Sequence, residues 1–171
     1  MRRAPATAKL NLALVVGRLG PDGKHELTTV LQRLDLADRV SIRPSPRLRV
    51  VGFAEDMLVR RALEQLAEAA GVQPRWEARL TKKIPVAAGL GGGSSDAATA
   101  LSLANATLEE PLPPDHVREL AAGLGSDVPF FLTEGPQLGE ADGTVLTPLD
   151  LPQDYWVLLV QPAGAGKAST A

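Results

Sequence analysis

Apolar and polar residues alternate from the start of the chain. Ala8, Leu10, Leu12, Leu14 and Val16 are interleaved with Thr7, Lys9, Asn11, Ala13 and Val15, the period of two expected of a half-buried strand with its leucines inward. The same period aims Thr7, Lys9 and Asn11 in one direction. Gly20-Pro21-Asp22-Gly23 is a strong turn signal. Residues 39–44 and 47–51 suggest a short hairpin closed by Pro44-Ser45-Pro46. From Glu55 the period lengthens: Leu58, Val59, Ala62, Leu63, Leu66 and Ala70 form one apolar stripe, and Gly71 ends the predicted helix. Trp76, Ala78 and Leu80 alternate with Glu77, Arg79 and Thr81, so a strand leads into Lys82-Lys83. Residues 96–108 are apolar or small nearly all round, which predicts a central, buried helix. Pro113-Pro114-Asp115 opens another helix, with Val117, Leu120, Ala121 and Leu124 as its buried face and Gly125 at its end. Short strand-like runs follow at 144–149 and 156–160.

Between the strand at 76–81 and the central helix lies Pro85-Val86-Ala87-Ala88-Gly89-Leu90-Gly91-Gly92-Gly93-Ser94-Ser95-Asp96-Ala97-Ala98. Glycines this dense are entropically costly wherever tight folding does not need them. A glycine loop that feeds a helix start is an anion site, because free N–H groups point outward at the positive end of the helix dipole. Ser94 and Ser95 can cap that helix, and either hydroxyl can face a phosphate or a metal ion. Two better-known phosphate motifs do not fit. A P-loop requires a lysine that does not follow Gly93, and Ser94 occupies the third glycine position of the dinucleotide fingerprint. The run Gly164-Ala165-Gly166-Lys167-Ala168 also fails as a P-loop, since Ala168 replaces the required Ser or Thr.

Composition adds bounds. The 171 residues suffice for one domain that buries about two-thirds of its unfolded surface. They are 44% apolar and 22% charged, with a net charge of −2. That balance argues against nucleic acid as a partner through bulk charge, although it leaves room for a local basic patch. Without cysteine there are no disulfides and no thiolate chemistry, which fits a reducing compartment; cytoplasmic is the default expectation. No apolar run reaches spanning length, so no membrane partner is expected.

The ordered string Pro-x-x-x-Gly-Leu-Gly-Gly-Gly-Ser-Ser-Asp-Ala-Ala resembles the phosphate-binding motif of the GHMP kinases. Its triple glycine and paired serines look most like the branch that phosphorylates 4-diphosphocytidyl-2-C-methyl-D-erythritol, in the non-mevalonate isoprenoid pathway. The resemblance implies ATP with Mg²⁺ as cofactors and a cytidine diphosphate-linked polyol as small-molecule substrate. On it, Pro85, Ala88, Gly89, Leu90, Gly91, Gly92, Gly93, Ser94 and Ser95 are expected around the nucleotide, with Ser94 or Ser95 contributing an oxygen near Mg²⁺; Lys82, just before the loop, reads equally as a charge that attracts the nucleotide and as an ordinary strand-end lysine. Ala8-Lys9-Leu10-Asn11-Leu12 resembles a family segment whose lysine lies beside the acceptor hydroxyl and whose asparagine holds substrate. Gly125-Ser126-Asp127-Val128-Pro129 resembles the segment whose aspartate takes the acceptor's proton. Lys9 and Asp127 are therefore the expected catalytic pair, and Asn11 and His25 the expected substrate contacts. Read without the family, each is an ordinary strand lysine, loop histidine or turn aspartate.

Two positions depart from the pattern. Lys24 replaces a tyrosine that can stack on a pyrimidine, and Met57 replaces an asparagine near the adenosine. They keep open another GHMP kinase, of the homoserine or mevalonate type. A non-catalytic binding module is the third reading. The implied fold is α/β (α+β), a mixed sheet covered by helices like domain 2 of ribosomal protein S5. Residues 1–160 would form the N-terminal ATP-binding domain, and 161–171 a linker toward a C-terminal domain that has no counterpart here. An exposed apolar face is expected where that domain, or a second copy in a homodimer, would dock. The kinase reading further requires Asp127 on the same side of the molecule as the amides of residues 89–95.

Overall fold

The computed structural model describes residues 1–19, 25–53 and 57–160. The turn at 20–23, Lys24, the helix start at 55–56 and the 164–168 run lie outside the described residues.

Two long strands, β1 (Arg2–Leu19) and β2 (His25–Pro44), run antiparallel, and the other elements attach to this ribbon. β2 is the hub. β1 lies along one edge, while its other edge pairs with β4 (Trp76–Thr81) through residues 39–44 and with β5 (Gln137–Glu140) through residues 29–31. β3 (Arg49–Val51) adds parallel to β4, and β6 (Val145–Pro148) antiparallel to β5. The expected hairpin at 39–51 is not formed. Residues 39–44 belong to β2, and β3 pairs with β4 instead, as expected of two strands separated by a helical crossover.

The core lies on one side of the sheet. Val40, Ile42, Ala78 and Leu80 from the strands meet Val59, Ala62, Leu63 and Leu66 of α1 (Met57–Ala69) and Ala97, Ala98, Leu101 and Ala104 of α2 (Gly92–Asn105). α3 (Pro114–Leu124) adds Val117, Ala121 and Leu124, and a short 3₁₀ turn, Pro129–Leu132, inserts Phe130. α1 ends as its sequence predicts: Gly71 adopts φ 65°, and the Val72 amide reaches the Ala67 carbonyl.

The first strand departs from its pattern. Ala6, Ala8 and Lys9 are buried, but Leu12, Leu14 and Val16 are exposed rather than inward. Bulges interrupt the pairing between Thr7 and Ala8 and between Asn11 and Ala13, and from residue 12 to 19 both faces of the strand are exposed. With Val15 and Leu19 these residues make an exposed apolar surface. Residues 156–160 form no strand, and Trp156, Leu158 and Val160 are likewise exposed.

Candidate active site

The glycine loop sits against the edge of β1. The Lys9 amide donates to the Leu90 carbonyl at 2.9 Å, and buried Leu90 packs with Ala8 and Ile84. Gly91 caps α2 in the left-handed region, φ 68°. A methyl group there would stand 2.8 Å from Lys9 Cγ and 2.9 Å from Phe131 Cζ, so both backbone shape and space require glycine. Gly93, by contrast, has open space where a side chain would project.

α2 begins inside the glycine run, earlier than the pattern suggests. Ser94 and Ser95 therefore occupy its first turn and do not cap it; no side chain caps this helix. The Ser95 amide already donates to the Gly91 carbonyl at 2.9 Å. The outward-facing donors are thus the amides of Gly92, Gly93 and Ser94, the first-turn groups that lack an intrahelical acceptor. Ser95 is buried, whereas Ser94 is half-buried at the mouth. Together with Phe53 and Leu58, residues 85–94 line a cavity of about 280 Å³. Pro85, Ala88 and Gly89 belong to this lining, and Phe53 and Leu58 give it an apolar wall that the sequence did not reveal.

Lys9 joins the loop to the second expected residue. Its side chain is 9% exposed, and its ammonium lies 3.3 Å from Asp127 Oδ2 and donates to Asn11 Oδ1 at 2.6 Å. Asn11 Nδ2 donates to Thr29 Oγ1 at 2.7 Å, and that hydroxyl to the Ala13 carbonyl at 2.8 Å. Asp127 sits in the turn between α3 and the 3₁₀ segment, with buried Val128, Pro129 and Phe130 directly behind it. Its carboxylate remains 39% exposed. The expected pair and the loop thus share one side of the molecule.

His25 is not brought to this cluster. It pairs with Leu19 at the tip of the ribbon, where its Nδ1 lies 3.2 Å from the Gly17 carbonyl, whereas Lys9 faces Arg33.

Lys82 also has a different destination from the one expected. It turns beneath the loop, donating to Asp38 Oδ2 and, at 2.6 Å, to Asp96 Oδ2. Both carboxylates are fully buried, and Asp38 Oδ1 also accepts the amides of Lys83 and Ile84. Burial opposes the charge on Lys82, but hydrogen bonds and attraction from Asp38 and Asp96 outweigh it and hold its pKa above the ordinary 10.5. The triad fastens β2, the loop entrance and the first turn of α2 to one another.

Arg33, absent from the sequence reading, anchors the Asp127 turn. Its guanidinium donates to the carbonyls of Phe131 at 2.8 Å and Thr133 at 2.5 Å, and lies 5.6 Å from the Phe130 ring centroid. Desolvation lowers its pKa, with Glu134 partly countering. A cation at the carbonyl end of a short helix is favourably placed.

A helix-covered mixed sheet thus carries a glycine-capped helix start with a lysine–aspartate pair beside it. Residues 57–135 match the GHMP kinases N terminal domain. It is 42% identical over 165 residues to the 4-diphosphocytidyl-2-C-methyl-D-erythritol kinase of Geobacter sulfurreducens, covering 92% of this chain and 59% of that protein. With the enzyme of the same name from Rhodococcus jostii it shares 42% over 172 residues, covering 95% and 55%. A crystal structure of 4-(cytidine 5'-diphospho)-2C-methyl-D-erythritol kinase superposes with a TM-score of 0.78 at 41% identity, over 88% of this chain and 56% of that one. Mevalonate kinase, at 11% identity and a TM-score of 0.64, shares the fold. The chain thus spans a little over half the length of these relatives.

Proposed function

We propose that this chain is the nucleotide-binding, base-bearing part of an ATP-dependent kinase that phosphorylates the 2-hydroxyl of 4-diphosphocytidyl-2-C-methyl-D-erythritol. The observation that carries the reading is the Lys9–Asp127 pair, 3.3 Å apart and joined through the Lys9 main chain to the glycine loop. Phosphoryl transfer asks a protein mainly for positioning and charge neutralisation. The amides of Gly92, Gly93 and Ser94 and the α2 dipole would hold the triphosphate. Phe53 and Leu58 would lie against the nucleoside, in place of the asparagine contact that Met57 lacks.

Asp127 would accept the acceptor's hydroxyl proton, a general-base contribution of about 10²–10⁴ in rate. Lys9 would steady the developing alkoxide. Asn11, fixed between Lys9 and Thr29, would orient the polyol. His25 would meet the cytidine end of an extended substrate, well away from the reacting hydroxyl. Ser94 fits Mg²⁺ better than Ser95, because its hydroxyl lies at the mouth of the cavity; magnesium typically keeps few protein ligands alongside phosphate oxygens and water. Residues 161–171 would lead to a further domain, which the apolar ribbon tip suits as a docking face.

The test is transfer of labelled γ-phosphate from ATP to a panel of alcohols: the cytidyl-erythritol, homoserine, mevalonate and phosphomevalonate. It would be run on this chain and on a version extended by a relative's C-terminal domain. Transfer to the cytidyl-erythritol is expected, and the Asp127→Asn change should cut it by about 10²–10⁴ without loss of nucleotide binding. Transfer only to another acceptor would move the assignment within the family, and full activity of Asp127→Asn would remove the base.

A further inference from the structure

The side of the sheet turned away from the helices carries a second charged region, independent of the kinase reading. Residues directly opposite in neighbouring strands share a face. Ser41 faces Arg3 on one side and Arg79 on the other, and Arg39 and Arg43 lie two residues before and after it in β2. Arg43 and Arg49 both face Glu77. All five arginines are exposed, and the inner-face partners Val40, Ile42, Ala78 and Leu80 point oppositely into the core. With strands about 4.8 Å apart and same-face residues about 6.8 Å apart along a strand, the five arginines cluster on one face around Ser41.

Five arginines share that patch with a single carboxylate. Glu77 Oε1 accepts from Arg43 at 2.7 and 3.0 Å and lies 3.7 Å from Arg79, while its Oε2 is 4.0 Å from Arg49. Arg3 and Arg39 have no ion-pair partner among the described residues. The arginines stand diagonally to one another rather than directly opposite, a separation that long side chains still span, so a chain with a net charge of −2 concentrates mutually repelling positive charge on this face.

The chemistry of the patch narrows what would cover it. It is the exposed outer face of a sheet, whereas small-molecule sites are concave. Its exposed side chains include no aromatic ring, so it offers no stacking platform for bases. Arginine's planar fork matches phosphate oxygens in pairs. We infer that this face binds the phosphate backbone of a nucleic acid, without reading its bases. A bound backbone would neutralise the repulsion and release counterions, which makes affinity steeply salt-dependent.

The test is fluorescence anisotropy of a labelled 20-base-pair RNA duplex titrated with the chain between 50 and 200 mM salt. Binding is expected, with a log–log salt slope of about −3 to −4, corresponding to about four neutralised phosphates. The double change Arg39→Glu/Arg79→Glu should weaken it at least tenfold at 50 mM, on the order of 1.4 kcal/mol. Arg60→Glu/Arg61→Glu, on α1 across the molecule, should leave it within about twofold, an effect confined to general charge. If the first variant fails to fold by circular dichroism, Arg39→Gln/Arg79→Gln serves in its place. Absence of binding at 50 mM, or equal weakening by both double changes, overturns the inference. So does binding to anionic vesicles that depends on Arg39 and Arg79 when RNA does not bind.

Discussion

Lys9 and Lys82 flank the same glycine loop and face opposite tasks. Lys9 meets one carboxylate, Asp127, which is more than a third exposed. Lys82 meets two, Asp38 and Asp96, both fully buried. A cation shared between buried anions is structural, because removing it strands charge away from water. A cation beside a carboxylate that still touches solvent leaves that carboxylate reachable by a third party. The difference separates the chemistry of the loop from its foundation.

The sharpest way to break that contrast is at Asp127. Asp127→Asn in an active form should cut turnover by about 10²–10⁴ while the nucleotide dissociation constant, read by calorimetry, stays within twofold; unchanged turnover would show that this pair is only an ion pair. Lys82→Met should cost about 3–5 kcal/mol of stability, seen as a lowered urea midpoint. Because the pKa of Lys82 is raised on folding, its stabilisation is complete below 10.5 and is lost as pH climbs through the higher folded value. The gap between the two proteins should therefore be constant near neutrality and narrow at strongly alkaline pH.

Gly91→Ala forces both a strained φ and contact with Lys9 and Phe131; a loss of about 1–3 kcal/mol is expected, measured by thermal unfolding. The smallest effect on stability belongs to Lys9→Met, about 1 kcal/mol or less, since Asp127 can hydrate once its partner is gone. A loss as large as that of Lys82→Met would erase the distinction between the two lysines.

Much of this arrangement was legible because its chemistry is written in short strings. The loop, Lys9 and Asp127 each sit in a recognisable segment, and the strand and helix periods from residue 57 to 124 match the elements that form. What stayed hidden depends on distant partners. Lys82 reads like any strand-end lysine until Asp38 is placed beside it by the β2–β4 pairing. Arg33 carries no local signal, because its acceptors are main-chain carbonyls near residue 131. Residues 12–19 of β1 are exposed on both faces, and alternation alone cannot report whether anything covers a strand. The arginines of the outer face were visible one by one, but their convergence around Ser41 exists only once four strands lie side by side.

One residue of β1 has two duties: its main chain holds Leu90, and its side chain holds Asp127. Any ligand that shifts the loop must therefore tug on the acid across a single joint, without help from a hinge or lid. Occupancy of the cavity and orientation of the carboxylate become one mechanical event, and a probe placed on either should report the other.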